Sequence, residues 1–98
     1  MKRLYVLVRL DLEKSSPAVQ AGHAVAEFML RNPNNKWKNS YLIYLGVKSL
    51  DRLEQIVWKL GKERIIPIQF HEPDLDNQLT AIAIEANDHK LFKNLRLL

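Results

Sequence analysis

The chain contains no cysteine, no Gly-x-Ser-x-Gly sequence and no long apolar run. Without cysteine, disulfide bonds and thiolate zinc sites are excluded, and the composition suits a reducing cytoplasm. The missing Gly-x-Ser-x-Gly sequence argues against a serine nucleophile of the hydrolase type. A transmembrane helix needs about 20 apolar residues, whereas the run after the basic start at 1–3 has only the length of a strand. We therefore expect a cytoplasmic protein without a membrane association.

What is present is the composition of an ordinary globular domain. The 98 residues are 47% hydrophobic and 27% charged, which predicts a single domain over residues 1–98 with one core. The formal net charge of +4 favours a polyanionic partner such as RNA, although many basic proteins bind none.

Apolar and polar residues alternate in blocks that predict the order βαβαββα. The predicted strands cover 3–10, 40–47, 64–70 and 79–85, and the helices cover 17–31, the stretch from the Ser49 cap to Gly61, and 87–94. Because the loop 71–78 has no helix, strand four should return antiparallel to strand three. Pro67 lacks a ladder donor and indicates that strand three lies at an edge. The pattern predicts an α/β fold, a three-layer α/β/α sandwich with helices on both faces of the sheet.

The segment from Arg9 to His23 has the features of a functional site. A strand pattern stops at Asp11, a short polar turn follows, and Ser16–Pro17 opens a helix. A serine hydroxyl at this position can cap backbone N–H groups, and proline suits the first helical turn. Polar side chains where a strand feeds a helix N-terminus often bind anionic ligands in α/β proteins.

Helical periodicity over 17–31 separates a small apolar side from a polar side. The predicted packing side comprises Ala18, Ala21, Gly22, Val25, Phe28 and Met29, and the opposite side comprises Gln20, His23 and Glu27. Two interpretations of the polar side stay open at this point. It is a solvated face, or it is a contact surface for a substrate or partner.

Several motifs resemble those of the type II peptidyl-tRNA hydrolases, and the similarity covers nearly the whole chain. They are Arg9-x-Asp11-Leu12, Ala18-x-Gln20-x-x-His23-Ala24, Trp37 before the second strand, Val47-Lys48-Ser49, and Thr80-x-x-Ala83-Ile84. The resemblance implies hydrolysis of the ester between a peptide and the tRNA 3′ end, with no metal or other cofactor. It also implies a four-stranded mixed sheet in the order 2-1-4-3, with strand four antiparallel.

The chain departs from the family in two places that bear on catalysis. Ser16 occupies the position of the family lysine, and the nearby lysine is Lys14. The family's Asp-x-Gly-x-Thr-Gln element is replaced by the sequence 71–78, which keeps acidic residues but has neither glycine nor threonine.

The expected chemistry is attack by water, which needs a base, oxyanion donors and a cation near the RNA. His23, Glu72 or Asp74 is the candidate base or water-positioning group. Gln20 and the helix N-terminus are candidate donors, and Lys14 is the candidate cation for a phosphate or the oxyanion. Substrate contacts are expected from Asp11, Lys14, Ser16 and Trp37.

Two further features have alternative interpretations. Trp37, between two lysines, either stacks on an RNA base or plugs the start of the second strand. The loop 71–76 carries alternating carboxylates that could hold a hard cation, but it lacks the calcium-loop pattern and fits an acidic surface loop better.

Three functions follow as alternatives. The first is a peptidyl-tRNA hydrolase-like esterase with tRNA as its partner. The second is a non-catalytic tRNA- or RNA-binding module, and the third is a homodimeric interaction domain of the same fold.

Overall fold

The computed structural model of the protein describes residues 2–98, which form a mixed α/β fold with a five-stranded sheet and two α-helices. The elements in chain order are β1 (Arg3–Arg9), α1 (Pro17–Arg31), β2 (Tyr41–Val47), α2 (Leu50–Lys62), β3 (Ile68–Glu72), β4 (Gln78–Ala86) and β5 (Arg96–Leu97). Short 3-10 turns occupy Pro73–Leu75 and Lys90–Phe92. Neither α-helix described within residues 2–98 combines the length and the apolar character that a membrane crossing requires.

The strands lie in the order β3-β4-β1-β2-β5. β1 pairs in parallel with β2, and β4 runs antiparallel to both β1 and β3. The direction of β4 follows from its short connection to β3, because one 3-10 turn cannot carry the chain back across the sheet. The predicted order of the first four strands and the antiparallel direction of β4 are present in this sheet.

The prediction of a four-stranded sheet is wrong, because β5 adds a fifth strand at the edge beside β2. The predicted final helix over 87–94 is only a 3-10 turn. The His89 ring accepts a hydrogen bond from the backbone N–H of Leu91, and Phe92 is buried against Tyr5 with ring centroids 4.8 Å apart. Once Phe92 is anchored there, the chain is extended, and the N–H of Leu98 donates to the carbonyl of Tyr44.

The end of α2 explains why β3 begins later than predicted. The helix continues through Gly61 to Lys62, and Arg64 takes the left-handed conformation with φ of 62°. The N–H of Arg64 donates to the Gly61 carbonyl and that of Ile65 to the Leu60 carbonyl, which is the Schellman arrangement. Residues 64–65 therefore close the helix, and Pro67 precedes the edge strand rather than lying inside it. The start of α2 is as predicted, with the Ser49 hydroxyl accepting from the N–H of Arg52.

The core has two clusters that share β1. Leu4, Val6 and Val8 pack in a cluster that includes residues of α1, whereas Tyr5 and Leu7 belong to a cluster that includes residues of α2. Alternate side chains of a strand point to opposite faces, so β1 is covered on both sides. This coverage accounts for its continuous apolar sequence.

The packing side of α1 differs from the predicted one. Its buried residues are Gln20, Ala21, Ala24 and Phe28, whereas Met29, predicted to pack, is 43% exposed. His23 is exposed, as its assignment to the polar side predicted. The helix is therefore rotated toward Gln20, whose amide finds polar partners on the sheet.

A pair of substitutions on α1 tests this packing. Phe28→Ala should lower the free energy of unfolding by about 3–5 kcal/mol, because it opens a cavity in the core. Leu30→Ala, at a side chain that is 77% exposed, should change it by less than about 0.5 kcal/mol. Urea denaturation measures both values, and equal losses would contradict the burial of Phe28 and the exposure of Leu30.

Candidate functional site

The candidate site lies where three segments meet at one end of the sheet. These are the end of β1 with the turn after it, the first turns of α1, and the β3–β4 connection. β1 and β4 are antiparallel neighbours, so the end of β1 lies beside the start of β4. We call this end of the sheet the α1 rim and define it as residues 9–23 and 70–80.

The Gln20 side chain connects α1 to two strands. It is 1% exposed, and its Oε1 accepts a hydrogen bond from the buried Thr80 hydroxyl at 2.5 Å. Its Nε2 donates to the Ser15 hydroxyl at 2.7 Å and to Oε1 of Glu72 at 2.8 Å. A buried amide is costly unless it is hydrogen-bonded, so these three partners fix its orientation. Gln20, predicted to lie on the outer side of α1, is thus a buried connector.

The Glu72 carboxylate is held at the partly exposed end of this network. Its second oxygen, Oε2, accepts from the backbone N–H of Asp74 at 3.3 Å. The hydrogen bond from Gln20 lowers the pKa of Glu72 most, the Asp74 N–H lowers it further, and the nearby His23 adds a smaller effect. Glu72 is therefore an anion at neutral pH, suited to accept hydrogen bonds and to stabilise a neighbouring positive charge.

His23 lies exposed beside this carboxylate. Its ring stacks on Phe70 of β3, with centroids 4.5 Å apart and planes 6° from parallel. Phe70 precedes Glu72 by two residues on the same strand, so one strand supports both the imidazole face and the adjacent carboxylate. The stacking restrains the imidazole plane while the ring remains open to solvent.

Arg9 joins the end of β1 to the start of β4. Its guanidinium is bidentate to the Asp11 carboxylate, with distances of 2.9 Å from Nε and 2.8 Å from Nη2. Its Nη1 donates to Oε1 of Gln78 at 3.0 Å and to the Leu79 carbonyl at 3.1 Å. Arg9 is 5% exposed, and its hydrogen bonds hold the pKa of Asp11 below the ordinary value. Asp11, which the sequence predicts to contact substrate, is the counterion that keeps this buried cation in position.

The remaining predicted residues of the α1 rim are less constrained. Ser16 occupies the N-cap position, but its hydroxyl makes no capping hydrogen bond, contrary to the prediction. Its carbonyl accepts from the N–H of Gln20, and the serine hydroxyl used by the network is that of Ser15. Lys14 and Asp74 have exposed side chains within the rim.

Trp37 is not part of the α1 rim. Its side chain is 3% exposed, its Nε1 donates to the Tyr41 carbonyl, and it packs edge-on against Phe28. Because β1 and β2 are parallel, the start of β2 lies at the end of the sheet opposite to Arg9. The geometry supports the interpretation of Trp37 as a plug over the start of β2.

Sequence reasoning missed the partners that order the site. Ser15 and Phe70 carried no signal of their own, since each lies in an ordinary turn or strand pattern. Thr80 is the one polar residue inside the apolar stretch 79–84, and Gln20 is the one polar residue of the buried side of α1. The sequence signal for this contact was that Thr80 and Gln20 are each a single polar residue in an otherwise apolar pattern.

A metal interpretation of the loop 71–76 gains no support from the geometry. Among residues 2–98, no group of three or more His, Cys, Asp or Glu side chains is arranged to hold a metal ion.

Comparison with known proteins gives a fold likeness. No family model and no curated protein matches the chain. Among solved structures, it is similar to a protein of unknown function, Atu0240, from Agrobacterium tumefaciens strain C58. The TM-score is 0.71 at 13% identity, over 99% of this chain and 97% of that one. This likeness shows a shared fold.

The coupling of Thr80 and Gln20 can be measured by a double-mutant cycle. Thr80→Val leaves the buried Gln20 oxygen without a donor and should cost about 1–3 kcal/mol of unfolding free energy. In a Gln20→Leu background the same change should cost much less, because no amide remains unsatisfied. Urea unfolding of the four proteins gives the coupling energy, and a value near zero would contradict the network.

The Arg9–Asp11 pair predicts a pH-dependent loss of stability. Asp11→Asn should cost about 1 kcal/mol at pH 7, a modest value because Asp11 is partly exposed. The pKa of Asp11 is lowered in the folded protein, so its contribution is present above about pH 4 and disappears as the pH falls through the lowered value.

The control for this prediction is Glu13→Gln, at an exposed carboxylate in the same turn. Thermal unfolding at pH 7 and at pH 3 compares the variants with the wild-type chain. An Asp11→Asn defect that is as large at pH 3 as at pH 7 would exclude the ion pair as its cause.

Proposed function

We propose that the protein is an esterase that hydrolyses the bond between a peptide and the 3′ end of tRNA, with water as the nucleophile. The observation that carries the proposal is the ionised Glu72, oriented by buried Gln20 beside the exposed His23. The motifs that resemble the type II peptidyl-tRNA hydrolases support it as well. Those around Arg9 and Gln20 meet the distant motif around Thr80 at the α1 rim.

In the proposed reaction His23 is the general base. An imidazole is suited to proton transfer near neutral pH. It takes a proton from water as the water oxygen attacks the ester carbonyl, and it returns that proton to the ribose oxygen as the carbon–oxygen bond breaks. The Glu72 carboxylate stabilises the imidazolium formed in between.

The oxyanion donors in this proposal come from the first turn of α1. Pro17 has no N–H, and the Ser16 hydroxyl makes no capping bond, so the N–H groups of Ala18 and Val19 remain for a substrate oxygen. Lys14, in the preceding turn, supplies a positive charge near the same position. Both N–H donors of the Gln20 amide are used within the protein. Gln20 therefore acts by positioning Glu72 and does not donate to the substrate.

The scaffold in this proposal is a three-layer α/β/α arrangement. The alternation of β1 side chains between a cluster with α1 and a cluster with α2 supports it. In that arrangement α1 presents its N-terminus beside the ends of β1 and β3.

Turnover of a blocked aminoacyl-tRNA, measured with and without a metal chelator, tests the proposal. The wild-type chain should release the blocked amino acid, and His23→Ala should lower kcat/KM about 100-fold. Gln20→Ala should lower it at least about tenfold, because Glu72 loses its orientation. His71→Ala, at an exposed histidine of β3 that takes no part in the hydrogen bonds of Gln20 and Glu72, is the matched control and should keep most of the activity.

The other outcomes identify the alternatives. Full activity in both the His23 and Gln20 variants would exclude this placement of the chemistry. Salt-sensitive tRNA binding without turnover would indicate an RNA-binding module, because phosphate contacts release counterions. Neither activity, together with a stable dimer in solution, would indicate an interaction domain.

A further inference from the structure

A second concave surface lies beside the α1 rim, between β2, the start of α2 and the C-terminal segment. Its volume is about 360 Å³. Its floor is apolar and is formed by Leu10, Gly46 and Leu95. The Leu10 side chain packs directly on Gly46, because an added Cβ there would lie only 2.6 Å from its Cδ1. Glycine at this position thus lets Leu10 lie close against β2.

The rest of the lining is cationic and polar. Lys48, Arg52 and Arg96 contribute three positive charges, and no acidic side chain is among the described residues that form the lining. Within residues 2–98 none of these three cations has a carboxylate within 4.0 Å. We call this concavity, lined by Leu10, Gly46, Lys48, Arg52, Leu95 and Arg96, the cationic pocket.

Three like charges around an apolar floor are unfavourable unless an anion or solvent screens them. The arrangement suits a ligand with a phosphate and a less polar part. Small-molecule sites range from about 300 to 1,000 Å³, so this pocket has room for one nucleotide unit rather than for a large cofactor. The lining cations fit the phosphate, and the floor fits the ribose attached to it.

The position of the pocket relates it to the α1 rim. Leu10 belongs to the rim, where it directly follows Arg9, and it also lines the pocket; its N–H donates to the Val47 carbonyl at 2.8 Å. Lys48 follows Val47, so the end of β1 joins the rim on one side to the pocket on the other. Because β1 and β2 are parallel, both strands have their C-terminal ends at this end of the sheet.

We propose that the cationic pocket binds a backbone phosphate, with its ribose, of the tRNA whose 3′ end lies at the α1 rim. The choice of RNA as ligand rests on the proposed function. The pocket supplies affinity through Lys48, Arg52 and Arg96, while His23 and Glu72 carry out the reaction.

Binding of fluorescently labelled, deacylated tRNA to the full chain tests the pocket separately from catalysis. Fluorescence anisotropy over a series of NaCl concentrations gives both the affinity and its salt dependence. The triple variant Lys48→Gln, Arg52→Gln, Arg96→Gln should bind at least about tenfold more weakly. The slope of log K against log salt should fall by about 0.7, since the contact to one phosphate of a flexible strand is lost.

A charge-matched triple variant is the control. Lys38→Gln, Lys59→Gln, Lys90→Gln removes three exposed positive charges outside the pocket, so both variants reduce the formal net charge from +4 to +1. The control should keep most of the affinity and the slope of the wild-type chain. Should the pocket triple fail to fold by circular dichroism, Lys48→Glu alone, at an exposed side chain, should still lower affinity and slope.

Equal weakening in the two triple variants, or an unchanged salt slope in the pocket triple, would overturn the inference. Competition with AMP distinguishes a free nucleotide from RNA: binding of AMP as tight as that of tRNA would mean that the pocket serves small phosphates, and the RNA inference would be wrong.

The turnover assay on the same variants separates this inference from the proposed function. Pocket-dependent tRNA binding by a chain that shows no turnover would leave the inference standing and overturn the esterase proposal. Turnover with the same KM in the wild-type chain and the pocket triple would support the esterase proposal and overturn the inference about the pocket.

Discussion

The geometry of the α1 rim depends on the hydrogen bonds of the buried Gln20 amide. Gln20 is the polar residue on the side of α1 that packs on the sheet, and its oxygen and nitrogen are satisfied by Thr80, Ser15 and Glu72. Since leaving any of these hydrogen bonds unmade inside the protein is costly, the helix, β4 and the end of β3 have one compatible arrangement. The rotation of α1, the exposure of His23 and the lowered pKa of Glu72 all follow from it.

The Arg9–Asp11 pair adds a second constraint at the same edge. A guanidinium with so little exposure is stable there because a carboxylate, an amide oxygen and a backbone carbonyl accept from it. These contacts hold the turn after β1 against the start of β4. The same turn leads into α1 and, through Leu10, lines the cationic pocket, so one rigid strand end supports both proposed sites.

The two proposed sites divide the work that an RNA-directed esterase needs. In the proposed reaction Glu72 and His23 at the α1 rim carry the proton transfer, and the first turn of α1 carries the charge stabilisation. In the cationic pocket, positive charges without carboxylate neighbours surround an apolar floor, where binding is required. Both lie at one edge because β1 and β2 are parallel and each leads into a helix whose N-terminus is at that edge.

Local chemistry in the sequence determined several elements closely. The Ser16–Pro17 start and the turn formers after Arg31 bounded α1 at the residues observed, and continuous apolar character identified β1 as a strand covered on both faces. The Ser49 cap was equally local, because it depends on residues three positions apart. Signals of this kind need no knowledge of the rest of the fold.

Other features depended on contacts between distant residues. Residues 87–94 have a helical pattern, but burial of Phe92 against Tyr5 and pairing of β5 with β2 override it. Helical period alone decides which side chains share a face of α1. The period does not decide which face packs on the sheet when one face has small residues and the other carries an amide that can find hydrogen-bond partners. Here the hydrogen bond from Thr80, sixty positions away in the chain, turns the Gln20 side of α1 toward the sheet. A hydrogen bond across such a separation exists only once β4 lies beside β1, so only the tertiary structure could place Gln20 inside, whereas the helical pattern had already predicted the exposure of His23.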